Sequence, residues 1–199
     1  MKDQKIQQLI KLLSSMPGLG PRSARRMAVN LIQNKETKLK NIMESMSDVY
    51  ENIKVCETCH NLDTSEKCSI CTDNKRNESK LCIISDVSDL WAIERSKTYN
   101  GKYHVLGGIL SAIEGVTPEK LNITTLMKTL SQGNIEEVII ALTTSIDGQT
   151  TSFFLKDILE KFDVKVTTLA QGVPMGGELD YLDDGTLSLA FSRRQGIAA

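Results

Sequence analysis

The sequence predicts a multi-module α/β chain, and three observations carry that reading. From Leu81 onward short apolar runs alternate with helical stretches. Before them lie two Cys-x2-Cys pairs in a short polar segment. Before those, two helical stripes flank a six-residue stretch with two glycines and two prolines. Strands that alternate with helices imply crossover connections and a mostly parallel sheet flanked by helices. The 199-residue length leaves room for smaller modules beside such a sheet.

The first module reads as helix, tight turn, helix. Ile6, Leu9, Ile10 and Leu13 recur at helical spacing. Met16-Pro17-Gly18-Leu19-Gly20-Pro21 cannot continue a helix, and Pro21 suits the first position of a new one. In that second helix Ala24, Met27, Ala28 and Leu31 form an apolar stripe, and Arg22, Arg25 and Arg26 fall on another face. A third helix is expected over Asn41 to Lys54, with Ile42, Met43, Met46 and Val49 facing inward. The next module, Val55 to about Lys80, has little apolar material and needs a staple.

In the third module Leu81-Cys82-Ile83-Ile84 reads as a buried strand, Ser88 to Lys97 as a helix and Tyr103 to Leu106 as a strand. Val138 to Leu142 reads as the clearest buried strand, Gly148 to Lys161 as a helix and Val164 to Val166 as a last short strand. Cys82 is expected to be a small buried hydrophobe. The last 30 residues are acidic, with Gly172, Gly176, Gly177 and Gly185.

Charge is unevenly divided. Residues 1–40 carry nine Lys/Arg against Asp3 and Glu36, or +7, whereas residues 41–80 carry −3 and residues 81–199 carry −5. A basic segment on an otherwise acidic chain points to a polyanion contact there; a solvated lysine-rich helix surface is the alternative. Apolar runs such as Val138–Leu142 fall far short of the roughly 20 residues a bilayer span needs. Residues 1–10 lack the apolar core of a signal peptide. The expected compartment is the cytoplasm.

Cys56-x2-Cys59 and Cys68-x2-Cys71 are separated by eight residues. Two such pairs present four thiolates at the corners of a tetrahedron, which suits one structural zinc ion with no open position for catalysis. In a reducing cytosol the disulfide alternative is disfavoured. His60 could replace a ligand, but four cysteines suffice, and it is expected to be a surface histidine. At the hairpin, Gly18 and Gly20 expose backbone N–H groups at a helix start, where phosphate binds without base readout. Arg22 and Arg26, one turn apart, add phosphate contacts, and Arg25 assists. An ordinary αα-hairpin is the plain alternative. Pro-Gly-Leu-Gly-Pro-Arg-Ser-Ala beside a basic helix face favours a helix-hairpin-helix motif, with sequence-independent, salt-sensitive DNA binding.

Together these stretches resemble the RecR family of bacterial recombination mediators. The resemblance rests on Leu19 to Ala24, the four cysteines, Asp89-Leu90-Trp91-Ala92-Ile93-Glu94, Tyr103 to Gly108, and Gly172 to Tyr181. It implies a helix-hairpin-helix DNA-binding region over 1–54, a four-cysteine zinc finger over 55–80, a Toprim domain over 81–170 and a Walker-B-like C-terminal segment over 171–199. It further implies a non-catalytic role in DNA repair. Such proteins assemble as dimers and tetrameric rings that encircle DNA, and act with RecO and RecF to load the recombinase at single-strand gaps. By resemblance the DNA contacts fall on Arg22 and Arg26, the knuckle ligands on the four cysteines, and the RecO contact on Asp147.

The carboxylates that hold magnesium in Toprim enzymes are depleted. Ser85 stands at the glutamate position, and Asp147-Gly148-Gln149 replaces the Asp-x-Asp pair. Asp86 is expected to point away from Ser85, as neighbouring strand residues do. One carboxylate is too few for a hard cation. A phosphate loop is also missing, since Gly101-Lys102 has Ser96 where the first glycine should stand. The competing readings are a Toprim phosphoryl-transfer enzyme and a zinc-stabilised scaffold that binds only protein.

Overall fold

The computed structural model describes residues 3–194, so the remaining residues of the expected first and last segments lie outside it. The chain divides into two compact units at Ile53/Lys54.

In the first unit, α1 (Gln4–Ser14) begins at Asp3, whose carboxylate accepts from the amides of Lys5 and Ile6. That is the usual cure for a helix start with orphaned donors. The hairpin follows, and α2 (Pro21–Gln33) starts with its proline at the first position. Leu13, Ala24 and Ala28 are buried between the two helices, with Leu9 and Ile10 packed against them. The alanines of α2 let the helices approach closely. A five-residue π-helical turn (Lys35–Leu39) leads into α3 (Lys40–Asn52).

Here the structure corrects the sequence. Helix α3 forms, but none of its residues is buried. Ile42, Met43, Met46 and Val49, expected to face inward, are exposed, the last three by 61%, 58% and 56%. Met27 of the α2 stripe is exposed too, while Leu31 is buried. The apolar period correctly marks a face on α3; nothing within the unit covers it.

The second unit opens with a small hairpin, β1 (Lys54–Val55) antiparallel to β2 (Leu62–Asp63), and the short helix α4 (Ser69–Thr72). Then come β3 (Asn77–Ile84), α5 (Val87–Ser96), β4 (Gly101–Val105) and a 3-10 turn (Pro118–Lys120). They are followed by α6 (Ile123–Leu130), β5 (Glu137–Ile140), α7 (Ile146–Leu159) and β6 (Lys165–Thr168). A 3-10 turn (Leu179–Tyr181) and α8 (Asp184–Ser192) complete it. The main sheet has the order β4-β3-β5-β6, with every pair parallel.

Burial on both faces explains the unbroken apolar runs. Leu81 and Ile83 join Val138, Ile140, Leu126, Leu130, Leu155 and Leu159 in one cluster. Cys82 and Ile84, which alternate with them along β3, join Leu90, Tyr103 and Val105 in the other. Cys82 is thus the buried hydrophobe expected, and burial pushes its thiol up to about 12. Strand β5 ends at Ile140 rather than Leu142, and β6 runs over 165–168 rather than 164–166. Helix α6 was not anticipated, although Ile123, Leu126, Met127 and Leu130 have helical spacing.

Candidate nucleic-acid interface and metal centre

The hairpin between α1 and α2 is built by its glycines in two different ways. Gly18 has φ +77°, which an L side chain adopts only with strain. Gly20 has an ordinary φ of −68° and serves as the N-cap of α2. A Cβ added at Gly20 would meet no atom within 4 Å. Neither backbone geometry nor internal packing therefore requires glycine at that position. What its bareness leaves open is the start of α2. Among the described residues, the amides of Gly20, Arg22 and Ser23 have no backbone acceptor. The positive end of the helix dipole lies at the same place.

Arg22, Arg25 and Arg26 are all exposed along α2. Among the described residues none of them is in an ion pair. Arg25 and Arg26 also line an open groove on α2 with Ser23, Met27, Asn30 and Gln33. Orphan amides, a helix N-terminus and three unpaired cations in one short stretch form an anion-binding surface.

The metal centre lies in the second unit. The Sγ atoms of Cys56, Cys59, Cys68 and Cys71 all lie within 4.8 Å of one another. Cys56 and Cys71 are 3.9 Å apart, Cys59 and Cys68 3.5 Å. Sulfurs about 2.3 Å from one tetrahedral ion stand roughly 3.8 Å from each other, so the cluster has the size zinc requires. Cys56, Cys59 and Cys68 are fully buried, and Cys71 is half-buried. The backbone N–H of Cys68 donates to the sulfur of Cys56 at 3.3 Å, which orients that ligand. Hydrogen bonding between Cys59 and Cys68 splits that pair, raising the Cys59 thiol and lowering that of Cys68. These four residues hold a structural zinc ion, one per chain. Among the described residues they form the only group of three or more such side chains close enough to share an ion.

His60 is not the surface residue expected. It is half-buried, has φ +62°, and packs edge-on against His104 with ring centroids 5.6 Å apart. Burial holds His104 down at about 4 and lowers His60 as well, so both rings are neutral near pH 7.

Beyond the end of β3, Ser85 donates to the carboxylate of Asp89 at 2.6 Å. Asp86 does not extend the strand. It caps α5, accepting from Ser88 N–H while Asp89 accepts from Asp86 N–H. These carboxylates are occupied by a capping box. Asp147 sits half-buried in the first turn of α7, where Ser145 is the N-cap. Gln149 turns its amide back to the carbonyl of Thr144 at 2.9 Å. Gly148 is required for space, because a Cβ there would collide with the carbonyl of Thr143. The acidic stretch near the C-terminus forms a 3-10 turn and the cap of α8, where Asp183 accepts from Thr186 N–H.

Sequence reasoning missed Arg76. Its guanidinium is bidentate on Glu94, donates to the carbonyl of Gly101 at 3.1 Å and lies over the Tyr103 ring. Tyr103 donates to the same Glu94 at 2.7 Å. The network joins the end of the cysteine module to α5 and β4. No local signal announces it, since the partners are 18 and 25 residues away.

Comparison with known proteins agrees with this layout. Family profiles match residues 6–50 as the RecR helix-hairpin-helix, 53–73 as the RecR four-cysteine zinc finger domain, 79–170 as a Toprim domain, and 172–195 as the RecR C-terminal region. The chain is 51% identical over 189 residues to the recombination protein RecR of Brucella anthropi, covering 95% of this chain and 94% of the relative. It is 46% identical over 197 residues to that of Erythrobacter litoralis, covering 99% and 100%. To that of Mesorhizobium japonicum it is 49% identical over 189 residues, covering 95% and 94%.

Proposed function

This chain belongs to the RecR family of recombination proteins, and on that premise we propose that it is a non-catalytic, DNA-binding mediator that closes into a ring-shaped clamp. The observation that carries the DNA contact is the bare start of α2. Among the described residues Gly20 has no internal reason to be glycine, the amides around it lack backbone acceptors, and Arg22, Arg25 and Arg26 pair with no acid. Such a surface grips phosphates and reads no bases, so binding is sequence-independent.

The absence of catalysis is supported by the Toprim region. Ser85 stands where a carboxylate would be needed, Asp147 has lost its partner acid to Gln149, and Asp86 and Asp89 are engaged in capping. Ring closure is supported by α3, whose apolar side has no cover within its own unit. The partners are RecO and RecF, with Asp147 the candidate contact for RecO, and the work is recombinase loading at single-strand gaps. No described helix is long and apolar enough to cross a membrane, which accords with a cytoplasmic, nucleoid-associated site of action.

The test is a fluorescence-anisotropy titration of DNA at several salt concentrations. Each phosphate contact contributes roughly −0.9 to the slope of log K against log salt. Arg22→Ala/Arg26→Ala is expected to make the slope shallower by about 2. Wild-type-like affinity in the double variant at every salt concentration would refute the assigned surface.

A further inference from the structure

A side chain outside the zinc module, on β4, holds the module's backbone at three points. The ammonium of Lys102 donates to three backbone carbonyls, those of Ile70 at 3.2 Å, Cys71 at 3.1 Å and Asp73 at 2.9 Å. A lysine has three N–H donors and no acceptor, so this set uses its full capacity. The three carbonyls belong to the last turn and end of α4, where a helix leaves acceptors orphaned and favours a cation.

One of the three belongs to a zinc ligand. Cys71 is the least buried of the four cysteines and so the corner of the cluster nearest solvent. Lys102 fixes its backbone from 31 residues away. The same strand holds a ligand of the other pair, because the amide of Val105 donates to the carbonyl of Cys59 at 2.9 Å. Strand β4 thus grips one cysteine from each Cys-x2-Cys pair. Charge points the same way. A divalent ion with four thiolates carries a net charge of −2, and such a centre next to a partly buried cation is stabilised in a medium of low polarity.

We infer that Lys102 is a positioning residue for the metal centre, tying zinc retention to the edge strand of the Toprim sheet. The zinc module and β4 then open together. Losing zinc loosens β4, and loosening β4 releases zinc, because a coupling free energy acts in both directions.

The test measures zinc release from the full chain into excess pyridylazoresorcinol, after the zinc content of the wild type has been counted. Removing a partner of a metal ligand typically weakens the site by roughly 10–100-fold. Lys102→Met is expected to release zinc faster by that order. Lys102→Arg, which keeps charge and donors, is expected to fall between Lys102→Met and the wild type. Lys128→Met on α6 is expected to match the wild type. A folded Lys102→Met that holds zinc as long as the wild type overturns the inference, as does equal acceleration by Met and Arg. A second measurement uses only the wild type, so it stands even if Lys102→Met fails to fold. On chelation, amide exchange is expected to rise in residues 56–73 and in 101–105, but not in 165–168 at the opposite sheet edge. Unchanged protection of 101–105 overturns the coupling. A wild-type chain without zinc overturns the metal site itself, and the anchor with it.

Discussion

Helices α3 and α7 have 13 and 14 residues, yet α3 hides no side chain and α7 hides Thr151, Leu155 and Leu159. The contrast extends to their units. In residues 54–194 the apolar runs of the sheet strands are covered on both faces. In residues 3–53 the core shared by α1 and α2 is two alanines and a leucine, with Leu9 and Ile10 at its edge. There Met43, Met46, Val49 and Tyr50 remain in solvent, alongside three arginines that pair with no acid among the described residues. Exposed apolar and basic side chains of this density mark surfaces meant for something else. The second unit has a two-faced core that the first lacks, although it too leaves Ile113, Ile146, Phe153, Met175, Tyr181 and Phe191 exposed.

The largest effect should come from the zinc module, which has almost no apolar packing of its own. Cys68→Ser removes a fully buried ligand from a module whose apolar cluster is mostly the cysteines themselves. Structural zinc supplies about 10–16 kcal/mol of folding free energy in isolated finger peptides, more than any single core contact. Limited proteolysis should cut Cys68→Ser within residues 57–67 while the wild type resists and α1–α2 stay intact. Equal resistance would mean that the sheet alone holds the module.

Next in size is a pair of substitutions that sets the two helices against each other. Leu155→Ala should lower stability to urea by about 2–5 kcal/mol, because it opens a cavity in the larger cluster. Met46→Asp should change the monomer's stability by no more than about 0.5 kcal/mol, as exposed substitutions do. On the proposed ring closure it should instead shift the sizing profile toward smaller species. A Met46→Asp chain that unfolds, or that keeps its assembly, would break the contrast between the two units.

Smaller again is Gly20→Ala. The added methyl meets no neighbour and the backbone angle is ordinary, so the melting temperature should stay within a degree or two of the wild type. DNA affinity should fall several-fold in the same titration, because a methyl group now stands over amides that phosphate must reach. Loss of stability without loss of affinity would return Gly20 to an internal role.

How much of this was legible beforehand follows from how local each signal is. The cysteine pairs, the hairpin and the strand runs are written within a few residues, and each formed, with strand ends displaced by one to four residues. Helix α6 is legible too, through the helical spacing of Ile123, Leu126, Met127 and Leu130. For α3 the periodicity reveals a face but not what covers it, so its residues were wrongly placed inside. Asp86 looked like a strand residue and proved to be a helix cap, because β3 stops at Ile84. Lys102 and Arg76 left no trace, as their partners lie up to 32 and 25 residues away and only the fold brings them together.

The smallest expected effect concerns the second unit and its Arg76–Glu94–Tyr103 network. Burial raises the Glu94 carboxyl, but hydrogen bonds from Arg76 and Tyr103 outweigh it and hold the group below its ordinary value of 4.5. A carboxyl with a depressed folded-state pKa lends stability that is fully present above its unfolded pKa. That stability disappears as the pH falls through the interval between the unfolded and folded values. The gap in urea midpoint between wild type and Glu94→Gln should therefore be constant from pH 7 down to about 5 and should narrow below 4.5. Zinc leaves its thiolates in the same acid range and lowers both curves, so the difference between them is the quantity to read. A gap that persists unchanged at pH 3 would mean that Glu94 acts through packing and neutral hydrogen bonds, with no contribution from its charge.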